Sequence, residues 1–476
     1  MMHNNPTKLI LLLHFPVLVS YILINSPIIS YFIAWFGSLF IFYTTILSPA
    51  AIIKTDLPIH KQIMRPIFLL QLIFAGFMCV TSVFYFMDHL GYRYLTAINY
   101  GAQFKENEQT MLIASCQRMS LLAHAALVTG MLLVQKHNIK LKSAKSFESD
   151  EFLIWLGIIV FSIGSLTQRF PGLNQIAIPL TIVGISCAAV LFVKGVNSKN
   201  IRYLGIGASI FVINFLHASL SGYKEPIIIN VIVIACVFFP YYKKLILYVT
   251  IPVAYVLVYF LPTYNNTVRQ SWSGEVSAEE AQHQAFENLN AKNEEQIEET
   301  NWSFMTKRLS EIEMFTQFVD YVPEHHPYYD WEIIENSLEG LIPRVFWAGK
   351  PNMETVSMQR VYDAGVANQM SSVSAKTRPV VDAYLSFGIP GVFFFMLLYG
   401  MLVQHLSDKA EEIFGGYELG CVIMFNSIFQ GLWRGNNFEF MFNNIFWGYV
   451  IMWFLFALLR TIKVLKPVFD QLDELV

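Results

Sequence analysis

The chain has 476 residues, 55% of them hydrophobic, 15% aromatic and only 14% charged, with a net charge of -3. A soluble domain carries about 25% charged residues, so this deficit and a mean hydropathy of +0.46 exclude an ordinary soluble domain and make the bilayer the solvent. No nucleic-acid partner is expected, and the net charge says less than where the charges fall.

A membrane span needs about 20 mostly apolar residues. Such segments occur at Leu9–Leu23, Ile28–Leu47, Pro66–Met87, Met111–Val134, Phe152–Thr167 and Ile176–Val193. Others follow at Tyr203–Leu220, Pro226–Phe239, Leu245–Leu261, Val381–Val403, Tyr417–Trp433 and Phe440–Leu459. The pattern predicts an all-α polytopic membrane protein of about twelve spans. The first run follows Lys8 but lacks a small-residue cleavage site, so it reads as a retained anchor. The segments at Phe152 and Pro226 are short enough to be tilted or re-entrant. All five cysteines lie in apolar segments without CxxC spacing, which supports neither a zinc site nor a disulfide framework.

Lys/Arg bias of the short loops sets orientation. One set of loops carries Lys54, Lys61, Arg65, Lys136, Lys140, Lys142, Lys145, Lys194, Lys199, Arg202, Lys243, Lys244 and Lys409, and the tail adds Arg460, Lys463 and Lys466. The alternate loops hold little beyond Arg93, Lys105, Arg169, Lys224 and Arg434. Both termini are therefore expected in the cytoplasm of a multi-pass protein. Residues 1–261 form an N-terminal bundle of about nine spans, 262–380 one large extracytoplasmic loop, and 381–476 a C-terminal bundle of about three spans with its tail. Within the loop, Ser277–Thr300 is acidic and reads as a solvated helix or a lid. Beyond it, aromatics from Trp302 to Trp347 suit either a membrane-interface belt or stacking on sugar faces.

A loop this long between spans tends to be functional or disordered. Arg118, Arg169, Arg344, Lys350, Arg360, Arg378 and Arg434 are the cations on or near this face. Guanidinium presents a planar fork of donors matched to phosphate oxygens. Prepositioned cations also stabilise a departing diphosphate without reorganisation. Snorkelling to headgroups or pairing with a carboxylate is the alternative for each. Arg118 lies inside a span, where an ionisable group is a functional hypothesis by default. His325, in the pair His325–His326, suits a base or a surface turn. Glu339 and Asp382 are carboxylate candidates for taking a hydroxyl proton. Asp382, four residues after Arg378, equally suits an Arg–Asp brace at the mouth of a span. No carboxylate or histidine spacing suggests a metal site, and no cofactor is expected.

The stretch Leu341–Pro351, LIPRVFWAGKP, resembles the IPR-x-x-W-x-x-KP signature of bacterial oligosaccharide repeat-unit polymerases, the O-antigen polymerase (Wzy-type) group. The resemblance continues through Arg360, Thr377–Arg378–Pro379 and Asp382–Ala–Tyr384–x–x–Phe387–Gly388–x–x–Gly391, with Asp where that group often has Glu. It implies a metal-independent glycosyltransferase with a GT-C-like fold at the outer leaflet of a bacterial inner membrane. A growing glycan on undecaprenyl diphosphate is the implied donor and a lipid-linked repeat unit the acceptor. Arg344, Arg360 and Arg378 would hold phosphate or sugar, and a chain-length regulator and a flippase are implied partners. An O-antigen ligase acting on lipid A core shares this donor chemistry. A flippase or other transporter is the rival of another class, although a large outer loop and the lack of internal repeats argue against it.

Overall fold

The computed structural model describes residues 6–48, 54, 56–94, 96–98, 106–137, 139–145, 151–220, 224–255, 294–370, 375–433 and 436–468. Over these residues the protein is all-α apart from two short antiparallel ribbons. Among the described residues seven helices are long and apolar enough to cross a membrane, with shorter apolar helices at Thr7–Ile22, Phe152–Thr167 and Ile201–Leu216.

The N-terminal half supplies α1 (Pro6–Ile22), α2 (Pro27–Phe42), α3 (Pro66–Phe74), α4 (Ser82–His89), α5 (Glu108–Val134), α6 (Glu151–Thr167), α7 (Asn174–Ser198), α8 (Ile201–Leu220) and α9 (Lys224–Tyr255). Proline at the first helical position starts α2 and α3, where its missing N–H has no intrahelical partner to lose. The Asn107 side chain caps α5 by accepting from Thr110 N. A stretch of π-helix, Ala75–Val80, joins α3 to α4.

The two segments expected at Pro226–Phe239 and Leu245–Leu261 run together as α9, broken at Tyr242, where the backbone is non-helical. No turn-forming pair separates them, only Pro240, which kinks a helix. Tyr242 donates its hydroxyl to Asn197 at the end of α7. Tyr255 instead lines a cavity with Arg93 and Glu298 at the other end of the bundle, so the chain doubles back at Tyr242.

The long connection folds. Its described part holds α10 (Glu294–Phe304), α11 (Ile312–Tyr321), α12 (Glu332–Gly340) and α13 (Met353–Asp363). Of the acidic segment Ser277–Thr300, only Glu294 onward lies within the described residues, as the start of α10. The chain then enters α14 (Pro379–Ile413), α15 (Tyr417–Trp433) and α16 (Phe438–Thr461). We call the end of the bundle beneath α10–α13 the loop end. The opposite, tail end carries the ribbon in which Ser143–Lys145 pairs with Leu465–Pro467.

The helix α14 is the spine. It packs along α5 at a pair of glycines: a Cβ on Gly130 would lie 2.0 Å from Leu397 O, and one on Gly400 2.0 Å from Leu127 O. Small residues let two apolar helices approach backbone to backbone, which substitutes for a hydrophobic drive in lipid. Near its loop end α14 breaks at Phe387 and Gly388, the latter at φ 63°. A side chain at Gly388 would be strained there and would meet the Tyr328 hydroxyl. Carbonyls released by the break are taken by the loop: Tyr329 N donates to Leu385 O (2.9 Å) and Asp330 N to Ser386 O (3.1 Å). The FG of the sequence signature is thus a socket for the segment before α12.

Candidate functional site

Three elements meet at the loop end through one arginine. Asn352 caps α13, whose last turn carries Arg360. Arg360 Nη1 donates to Glu439 Oε1 (2.7 Å) and Nη2 to Glu439 Oε2 (3.2 Å) and Asp382 Oδ1 (3.2 Å). Asp382 Oδ2 accepts from Phe438 N at 2.7 Å, so the carboxylate also caps α16. Arg360, Asp382 and Glu439 are 4%, 0% and 2% exposed. Burial alone would push the guanidinium down, but Asp382 and Glu439 more than offset it and hold Arg360 above its ordinary value. One cation therefore clasps two carboxylates and ties α13, α14 and α16 together. Glu439 was absent from the expected site although it lies 79 residues beyond Arg360 in direct contact with it. An acidic residue in the apolar run Phe438–Glu439–Phe440 was the signal available.

Arg378 does not brace Asp382. It occupies the N-cap position of α14 with extended backbone, so its side chain leaves the helical face on which Asp382 lies. Its carbonyl accepts from Asp382 N (2.9 Å), while its guanidinium pairs with Glu311 and lies 4.8 Å over the Phe77 ring. Glu311 is a further partner that spacing could not suggest.

The turn Leu341–Pro351 follows the end of α12. Lys350 is buried, and its ammonium donates to Gly340 O (2.6 Å) and Ile342 O (2.8 Å). It thereby closes the C-terminus of α12, where a cation meets orphan carbonyls. Burial and the nearby Arg344 charge push the Lys350 ammonium below its ordinary value, with Glu339 opposing. Gln175 Nε2 donates to the same Gly340 carbonyl (2.8 Å), and Trp447 Nε1 to Leu341 O (3.1 Å). The turn is therefore fixed on α7 and α16. Its tip is open: Arg344 is exposed, with a single contact of 3.5 Å from Nη2 to Pro351 O.

The tip abuts the short turn between α6 and α7. A Cβ on Gly172 would lie 3.5 Å from Val345 N. Arg169, three residues before that glycine, is exposed as well. Phe170, Val345 and Phe346 are exposed around them. Among the described residues neither Arg169 nor Arg344 is paired with a carboxylate. Two turns remote in sequence thus present two uncompensated guanidinium groups on one surface with an apolar surround.

Glu339 is exposed in the last turn of α12, close enough to Lys350 to act on its charge. His325 is exposed and stacks on Tyr321 at 5.9 Å, while His326 Nδ1 meets Pro327 O at 2.6 Å. His326 also stacks on Tyr329 at 4.5 Å, and among the described residues neither histidine contacts Arg360, Asp382 or Glu439. Arg434 lies outside the described residues.

Arg118 sits apart, beneath the α1–α2 turn. It is 4% exposed, donates from Nη1 to Ser30 Oγ (3.0 Å) and lies 5.5 Å from the Tyr21 ring. A desolvated ion costs several kcal/mol, against about 1.5–3 for one charged hydrogen bond and about 0.5–2 for a cation–π contact. Its charge is under-compensated. Among the described residues no group of three His, Cys, Asp or Glu side chains is placed to hold a metal ion. A family model described as a domain of unknown function, DUF8712, matches residues 15–467. No curated protein and no solved structure matches the chain.

Proposed function

Because the chain belongs to the DUF8712 family over nearly its whole length, a family whose activity is open, we propose a function from its own residues: polymerisation of undecaprenyl-diphosphate-linked oligosaccharide repeat units. In this reading the protein crosses a bacterial inner membrane about twelve times. Both termini lie in the cytoplasm, and the loop end faces the outer leaflet.

One observation carries the reading. Arg169 and Arg344 stand exposed on abutting turns, without carboxylate partners among the described residues, and Arg344 lies inside the stretch that resembles the polymerase signature. Exposed Phe170 and Phe346 beside them suit the headgroup level, where a polyprenyl tail leaves the bilayer. The acceptor's hydroxyl oxygen attacks the donor's anomeric carbon, the bond to the diphosphate oxygen breaks, and undecaprenyl diphosphate leaves. The two guanidinium groups take up the charge that develops on that leaving group. Glu339, exposed on the helix that ends in this turn, accepts the hydroxyl proton. Lys350, Arg360, Asp382 and Arg378 serve as positioning residues, since the three cations are already engaged by carbonyls or carboxylates and Asp382 by Arg360 and Phe438 N. A chain-length regulator and a flippase are the proposed partners, with membrane lipids around the spans.

The break in α14 is the feature that a transporter would share. The carbonyls of Leu385 and Ser386 that it releases are taken by Tyr329 N and Asp330 N, which argues against an ion site built from them.

The test is the lipid-linked glycan profile of a strain lacking this chain, complemented with wild type, Arg344→Ala or Arg169→Ala. Single repeat units should accumulate in the deletion, a ladder should return with wild type, and both variants should fail at normal protein level. Long polymer that forms but never leaves its lipid carrier would make the chain a ligase instead.

A further inference from the structure

We propose that Arg118, with Tyr21 and Ser30, forms a binding site for the phosphate group of a membrane lipid, separate from the Arg169–Arg344 surface. The proposal is independent of the polymerase reading, since it requires a lipid phosphate and no glycosyl transfer.

Charge sets Arg118 apart. Lys54 pairs with Asp408, Arg65 with Asp56 and Glu411, and Arg360 with Asp382 and Glu439. Arg118 is equally buried, yet among the described residues it has no carboxylate partner. Its Nε and the Tyr21 hydroxyl are both enclosed without a hydrogen-bond partner. Ser30 Oγ spends its proton on Ser20 O (2.7 Å), so it meets Arg118 only as an acceptor. A guanidinium N–H and, on the ring that lies 5.5 Å from that guanidinium, a phenol O–H are two donors without an acceptor. Phosphate oxygens fit that need, because the guanidinium fork and a neutral hydroxyl both donate to them.

The surroundings point to a lipid as the source. Tyr21 stands at the end of α1, along which Leu11, Phe15, Leu18 and Ile22 form an exposed apolar stripe at helical spacing. A chain lying on that stripe brings its headgroup to the α1–α2 turn, directly above Arg118. Among the described residues Arg118 shares no contact with the clasp; its neighbour Gln117 donates to Cys79 O (3.2 Å), on the π-helical segment that also carries Phe77 beneath Arg378.

The experiment uses the full chain in detergent, in an Arg344→Gln background that silences the other surface. Native mass spectrometry would follow binding of farnesyl diphosphate, dioctanoyl phosphatidylglycerol and, as the phosphate-free control, dioctanoylglycerol. Both phosphate-bearing probes should bind with Arg118 intact, and Arg118→Gln should weaken them by about tenfold or more. Arg118→Lys should fall between, because it keeps the charge without the fork. Tyr21→Phe should weaken binding several-fold at unchanged melting temperature, and it decides the matter if Arg118→Gln does not fold. Preference for farnesyl diphosphate would identify a polyprenyl carrier, and preference for phosphatidylglycerol a bulk phospholipid. Binding unchanged in both Arg118→Gln and Tyr21→Phe, or a control that binds as well as the phosphate probes, would overturn the proposal.

Discussion

The two ends of α14 both bury ion pairs, but they are finished to different degrees. At the tail end Arg65 uses every N–H direction. It makes paired bonds to Glu411 (2.9 and 2.8 Å) and Asp56 (2.7 and 2.6 Å), with Gln62 Oε1 at 2.8 Å. Beside it Lys54 meets Asp408 at 2.7 Å, and Lys136 N donates to the other oxygen of that carboxylate. At the loop end, about 40 Å away along the helix, Arg360 and Arg378 are paired, yet each leaves Nε enclosed without a partner. Arg169 and Arg344 there have no counter-charge at all among the described residues. The charged groups named at the tail end all have partners, and there it is an acceptor, Gln404 Oε1 beside Asp408, that is enclosed without one; spare donors beside exposed cations are instead what an anionic ligand requires. Under the proposed function the tail end is scaffold and the loop end the recognition surface.

The sharpest way to break this comparison is Arg65→Met. It removes the bidentate partner of Glu411, which keeps only Lys54 at 3.6 Å, and the partner of half-exposed Asp56; removing one partner of a buried pair costs about 3–5 kcal/mol. Thermal unfolding in detergent should show a large fall or no folded protein. A melting temperature near wild type would mean that the tail-end network is not an anchor.

Next in size is the clasp. Arg360→Met leaves Asp382 and Glu439 facing each other without a cation and should destabilise by a similar ~3–5 kcal/mol. Asp382→Asn keeps the bidentate Arg360–Glu439 pair and should cost only about 1–2 kcal/mol. Chemical denaturation of both variants separates the effects. Equal losses would show that Asp382, not Glu439, is the principal partner of the arginine.

The smallest expected effect is a pH dependence at the tail end. The Arg65 hydrogen bonds hold the half-exposed Asp56 carboxyl below its ordinary value, with burial opposing. A carboxyl depressed in the folded state adds stability that is complete above its unfolded value of about 4. That stability is lost as pH falls through the lower, folded value. Wild type should therefore lose melting temperature more steeply than Asp56→Asn below about pH 4, and salt should shrink the gap. Parallel curves would remove Asp56 from the network.

Much of the architecture was legible in the chain itself. Apolar runs located six of the seven helices that are, among the described residues, long and apolar enough to cross a membrane, because the bilayer demands length and hydropathy that composition records directly. Pro27, Pro66 and Pro379 at the first helical position and the Asn107 cap start their helices for local reasons. The doubling back at Tyr242 inside one helical stretch was also half-legible, since the two segments could be drawn but not the absence of a loop between them.

The partners of the charges were decided only in three dimensions. Arg378 and Asp382, four residues apart, look like a pair along a helix, but the N-cap backbone sends them to Glu311 and Arg360 instead. Glu439 joins the clasp because α16 packs beside α14, and no spacing rule links residues 79 apart. Which arginines remain uncompensated is likewise a property of packing. The sequence determined that cations would gather at the loop end; only the tertiary structure decided which were spent on carboxylates and which, at Arg169, Arg344 and Arg118, have no carboxylate partner among the described residues.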